Sequence, residues 1–186
     1  QQGLKLMGRE EFSLPLQTQA QRPVFTLDPQ SQAPTAVVDT NNALFDDAGI
    51  PTSMKYRRYL GDIPLSKATE VGLQLRGYFG VRGLDQGAPQ TRVFGGITDG
   101  DLIGLPPPSQ RGVNSGDPNF YSEQSQRPTL VFMGSDDGMI HGFRAFDGAS
   151  VFSFVPQASW GDLRQGAREV RVDGPLAAAD LIPCRS

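Results

Sequence analysis

The sequence predicts an all-β fold of short strands in a meander, the arrangement found in one blade of a β-propeller. Three observations carry that prediction. Glycine and proline contribute 22 and 15 of the 186 residues, about a fifth where roughly 12% is usual. Both residues break helix interiors, which excludes a helical bundle or coiled coil as the main architecture. Residues 129–155 alternate apolar strands with Asp-Gly turns. A 13-residue block also recurs at a fixed offset of 38 residues.

The strands are read as follows. Thr129-Leu130-Val131-Phe132-Met133-Gly134 is a short apolar strand, and Ser135-Asp136-Asp137-Gly138 is a hairpin turn. The Asp137-Gly138 pair is expected at the positive φ values that a tight turn needs. Met139 to Arg144 forms the return strand, Phe146-Asp147-Gly148-Ala149-Ser150 a second turn, and Val151 to Val155 a third strand stopped by Pro156. Three strands joined by two short turns form the core of a blade.

The repeat sets Val93-Phe94-Gly95-Gly96-Ile97-Thr98-Asp99-Gly100-Asp101-Leu102-Ile103-Gly104-Leu105 against residues 131–143, with six identities in thirteen positions. Propeller blades recur at roughly 40 to 50 residues. Pro106-Pro107-Pro108 and a polar stretch through Gln126 follow where a third strand of the first copy would stand. That stretch is read as a long surface loop. Two Asp-Gly hairpins also resemble one another by chance, so a blade and an unrelated hairpin both stay open.

Upstream, residues 1 to about 55 are rich in Gln, Pro, Ser and Thr, with apolar runs at Pro23 to Leu27 and Thr35 to Val38. They read as extended strands and loops leading into the propeller. Residues 56–186 then form an incomplete propeller with an insertion at about 73–126. Pro64 is expected to end any helix at Ile63. The chain starts at Gln1 and ends Leu181-Ile182-Pro183-Cys184-Arg185-Ser186, just after an expected strand, so a piece of a longer or processed polypeptide is expected.

Charge and motifs narrow the function classes. The net charge is −3, with 14 arginines and 3 lysines and no basic stripe, which argues against nucleic-acid binding. No apolar run approaches the roughly 18 to 20 residues of a membrane span. Cys184 has no partner for an intrachain disulfide, and the single histidine, His141, lies 43 residues away from it. His141 stands in the return strand with Met139 and Phe143 on its face by period-two alternation, and reads as a satisfied, half-buried residue.

The acidic residues are the candidates for calcium ligation. Asp39-Thr40-Asn41-Asn42-Ala43-Leu44-Phe45-Asp46-Asp47 opens like an EF-hand loop but has Ala43 at its fifth position and Ile50 at its twelfth. Asp99-Gly100-Asp101 and Asp136-Asp137 read as turn residues. No P-loop, dinucleotide fingerprint, G-x-S-x-G elbow, His-Glu-x-x-His or Cys-x-x-Cys occurs. No catalytic or cofactor-binding residue is assigned, and metal ligands are left unknown.

The run Arg127-Pro128-Thr129-Leu130-Val131-Phe132-Met133-Gly134-Ser135-Asp136-Asp137-Gly138-Met139-Ile140-His141-Gly142-Phe143 resembles a signature, R-P-x-x-V-x-x-G-x-N-D-G-M-L-H-A-F. It is that of the PilY-type family of type IV pilus tip-associated adhesins and biogenesis factors. Phe152 to Pro156 is similar to the family's next strand end, and Val172-Asp173-Gly174-Pro175 through Asp180 to its V-D-G-x-P-x-x-x-D segment. That segment opens a strand of the following blade. Leu60-Gly61-Asp62-Ile63 with Ser66 resembles its L-G-D-I-x-x-S segment. Asp136 and Gly142 stand where the family has Asn and Ala.

The resemblance implies a partial propeller with quinoprotein-like blades and long loop insertions, and it places residues 93–105 inside an insertion. It implies a non-enzymatic role in which the protein primes pilus assembly with minor pilins or a pilus-tip complex. It further implies opposition to retraction and contact with host or abiotic surfaces. The remainder of its own chain is a further expected partner. Export is implied, to the periplasm, the outer surface or the pilus tip. No cofactor is predicted from the residues; the resemblance leaves calcium open, although the family's calcium loop has no matching run here. Two alternatives remain: a quinoprotein-like dehydrogenase propeller, and a scaffold domain of a larger surface protein. Dehydrogenase blades usually place a tryptophan at the end of the last strand, where this chain has Phe152 or Phe154; its single tryptophan, Trp160, follows Pro156.

Overall fold

A computed structural model describes residues 23–38, 43–46, 49–75, 96–98, 100–108, 119–166 and 170–180. The β-rich expectation holds at its centre. Strands β1 (Val24–Leu27), β2 (Pro34–Val38), β3 (Leu102–Leu105), β4 (Leu130–Gly134), β5 (Ile140–Arg144) and β6 (Ser150–Phe154) form one sheet in the order β2-β1-β6-β5-β4-β3. The β4-β5-β6 meander lies where the alternation and the Asp-Gly turns put it. Its register pairs Met133 with His141 and His141 with Ser153.

β3 extends the meander antiparallel to β4, pairing Leu102 with Met133 and Leu105 with Leu130. Pro106–Pro108 follow it and carry no ladder, since proline has no N–H to give. Strands β3 to β6 match the strand content of one blade. β1 then joins β6 in parallel, and β2 joins β1 antiparallel. The described residues therefore form a six-stranded mixed sheet, and they do not close into a propeller.

The strictly all-β expectation is corrected. A 3-10 turn at Met54–Tyr56 runs into α1 (Arg57–Leu60); α2 (Leu65–Leu75), α3 (Phe120–Gln124) and α4 (Ser159–Gln165) follow. Gly61, at φ +68°, ends α1 by returning its N–H to the Arg57 carbonyl. Pro64 does not terminate a helix; it opens α2, and its carbonyl accepts from Lys67 and Ala68 N–H at 2.9 and 3.0 Å. Proline is tolerated at a helix start, where its missing N–H has no intrahelical role. Ala68, Val71 and Leu75 recur at helical spacing and are all buried.

Helices α1, α2 and α4 pack on one face of the sheet. Val24 and Thr26 alternate toward them along β1, and both are buried. Val24, Tyr59, Leu60, Val71, Leu75, Met139, Val155, Trp160 and Leu163 share a single buried cluster. Trp160 on α4 lies 5.0 Å from the Tyr59 ring and donates its Nε1–H to Thr26 Oγ1 at 3.1 Å. Thr26 in turn donates to the Val155 carbonyl at 2.8 Å. The tryptophan thus ties a helix to the sheet. On the opposite face Phe132 and Phe152 meet at 5.9 Å across Gly142, and both are half-buried.

Candidate functional site

The β4–β5 hairpin carries the densest polar chemistry of the described residues. Its loop is wider than a two-residue turn: Ser135 N–H donates to the Met139 carbonyl at 3.1 Å. Of the two residues expected at positive φ only Gly138 has it, at +86°. Asp137 instead uses its side chain. Oδ1 accepts the Met139 N–H at 3.1 Å and the Ser135 hydroxyl, which closes the loop from inside. Asp and Asn favour turns because they offer this local acceptor.

His141 is fully buried rather than half-buried. Its Nε2 lies 3.0 Å from Asp137 Oδ2 and 3.1 Å from Ser135 Oγ, and its Nδ1 lies 2.8 Å from Ser153 Oγ. A carboxylate only accepts, so Nε2–H donates to Asp137, and in the neutral ring Ser153 O–H donates to Nδ1. Ser135, Asp137 and Ser153 are buried with it. A Ser-His-Asp set does nucleophilic work only where substrate can reach it. Here every member is sealed, and the set binds the hairpin loop to β6.

Two segments grip the loop from outside. Asp136 N–H donates to the Gly96 carbonyl at 2.8 Å, and Thr98 Oγ1 donates to Asp136 Oδ2 at 2.7 Å. On the other side Val170 and Val172 N–H donate to the Asp136 and Ser135 carbonyls at 3.1 and 3.2 Å. The two arginine-and-aspartate motif ends also meet. Arg127 bridges both oxygens of the Asp180 carboxylate, one at 2.9 Å, and gives a further N–H to the Pro106 carbonyl at 2.6 Å. Residues 171–180 form no strand, although one was expected near Pro175: an extended segment becomes a strand only by pairing.

Asp39, Asn41, Asn42, Asp47, Asp99 and Cys184 lie outside the described residues. Ala43, Leu44 and Phe45 are buried apolar residues, and Asp46 Oδ1 accepts the Ile50 N–H at 2.8 Å. Asp101 is exposed beside β3. Among the described residues no three His, Cys, Asp or Glu side chains gather as a metal site. Sequence reading singled out Asp137 and His141 but missed Ser135 and Ser153. The signal for Ser153 is its cross-strand register opposite His141, which no local pattern displays.

No family model and no solved structure matches the chain. Curated relatives do. A type IV pilus biogenesis factor PilY1 homolog of Xylella fastidiosa Temecula1 is 37% identical over 67 residues, covering 33% of this chain and 6% of the relative. The type IV pilus biogenesis factors PilY1 of Pseudomonas aeruginosa strains UCBPP-PA14 and PAO1 are each 36% identical over 69 residues, with the same shares. A third of the chain is PilY1-like. That stretch spans 6% of the length of each of these PilY1 proteins. No helix among the described residues is long and apolar enough to cross a membrane.

Proposed function

We propose that this chain is part of an exported, PilY1-like factor that promotes type IV pilus assembly by binding rather than by catalysis. The observation that carries this reading is the 36–37% identity to PilY1 proteins over a third of the chain. The geometry supports it in a secondary way. The buried Ser135–Asp137–His141–Ser153 set makes a rigid hairpin, and rigid scaffolds present recognition residues on their loops. Adhesion to host or abiotic surfaces, and assembly with minor pilins at a pilus tip, are finer parts of the same proposal.

The test is cross-linking in the source bacterium with the full-length protein carrying an affinity tag. Minor pilins recovered in the cross-linked complexes support the binding role. Their absence, alongside intact full-length protein in the same fraction, overturns it. The dehydrogenase alternative is addressed by incubating the purified full-length protein with pyrroloquinoline quinone and calcium, where stoichiometric retention of the quinone overturns the binding reading.

A further inference from the structure

The chain leaving the sheet returns along β4 in a way that suggests a movable strap. A Cβ built on Gly134 would meet the Val172 carbonyl oxygen at 1.8 Å, so Val172 occupies the place on the sheet face that a side chain would fill. By alternation that is the face of Phe132. Eight residues later Asp180 is held by Arg127, which precedes β4 by three residues and sits at its opposite end. An extended chain rises roughly 3.3 Å per residue, so the segment between the two anchors matches the length of β4 and its approach.

Between those anchors the segment is loosely held. Among the described residues no backbone hydrogen bond joins 173–180 to the rest of the chain. Gly174 has open space around its missing Cβ, and Asp173, Gly174, Pro175, Ala177 and Ala179 are exposed. Arg127 is well placed as the far fastening. It holds Asp180 with both ends of its guanidinium fork, the geometry of the stronger ion pairs. The same group holds Pro106 at the end of β3, so one side chain joins three separate segments.

We propose that residues 173–180 form a strap closed over β4 that opens when the Arg127–Asp180 pair breaks, while the sheet stays folded. Segments with few buried contacts and few backbone bonds open at lower free energy than the elements they cross. Two anchors on one short segment also reinforce one another through effective concentration, so loss of the far anchor loosens the near one.

The test is amide hydrogen exchange on the protein, followed at Val172, whose N–H is bonded to Ser135, and at Phe154, within the β5–β6 pair. Arg127→Ala is expected to speed exchange at Val172 about ten-fold and to leave Phe154 unchanged. Asp180→Asn keeps an acceptor and removes the charge, so it reads the pair in a fold that Arg127→Ala could disturb. It is expected to give a smaller acceleration confined to the strap, increased no further by salt. Equal acceleration at Val172 and Phe154 in Asp180→Asn, or none at Val172 in either variant, overturns the proposal.

Discussion

Asp137 Oδ2 lies 3.0 Å from His141 Nε2, and both side chains are fully withdrawn from water. The pair joins the hairpin loop to β5, and Ser153 on β6 completes the lock from the other ring nitrogen. Asp137 would keep its Ser135 and Met139 donors, but its Oδ2 would lose the His141 N–H with no water to replace it. His141→Phe is therefore expected to destabilise the fold by about 3 kcal/mol or more. Ser153→Ala removes one hydrogen bond and is expected to cost about 1 kcal/mol. Urea unfolding of both variants checks the order; a larger loss from Ser153→Ala contradicts the lock.

Gly134 and Gly161 make a paired test of packing. A methyl at Gly134 collides with the Val172 carbonyl oxygen at 1.8 Å, whereas one at Gly161 on α4 meets nothing within 4 Å. Gly134→Ala is expected to displace residues 170–172 and lower the thermal midpoint. Gly161→Ala is expected to stabilise by about 0.5–1 kcal/mol, through helix propensity alone. Thermal unfolding of the two variants should move in opposite directions.

Gly138 combines strain with contact. At φ +86° it adopts a conformation β-branched residues avoid, and a Cβ there lies 3.2 Å from Val170. Gly138→Val is expected to destabilise by about 1–3 kcal/mol. Unchanged stability on chemical denaturation contradicts the turn geometry.

The meander was legible in the sequence because period-two apolar runs and Asp-Gly turns are local signals. Trp160 and Pro64 show where locality stops. Pro64 followed by Leu65 reads equally as a stop or a start, and only the buried spacing of Ala68, Val71 and Leu75 decides for a helix. The segment Val24–Leu27 read correctly as extended, yet its parallel place beside β6 depends on partners 129 residues further along the chain. His141 was visible as a satisfied residue. Its depth depends on Ser153 and on the helices behind it, which are tertiary facts.

Acid sensitivity follows from two turn carboxylates. Asp28 accepts the Ser31 and Gln30 N–H groups, and Asp147 accepts the Ala149 N–H; these bonds hold both below the ordinary carboxylate value of 3.8. A depressed folded pKa contributes stability that is present above the unfolded value and lost as pH falls through the folded one. Thermal midpoints are expected to hold down to about pH 4 on this account and to fall below it. Asp147→Asn should flatten part of that slope, and an unaltered slope in both Asp147→Asn and Asp28→Asn contradicts the assignment.

The central claim is the pilus role, and surface piliation tests it most directly. Pili are counted by electron microscopy in the source bacterium lacking the gene, then after complementation with the full-length wild-type copy. The account predicts loss of surface pili in the deletion strain and recovery on complementation. Undiminished piliation in the deletion strain would contradict it.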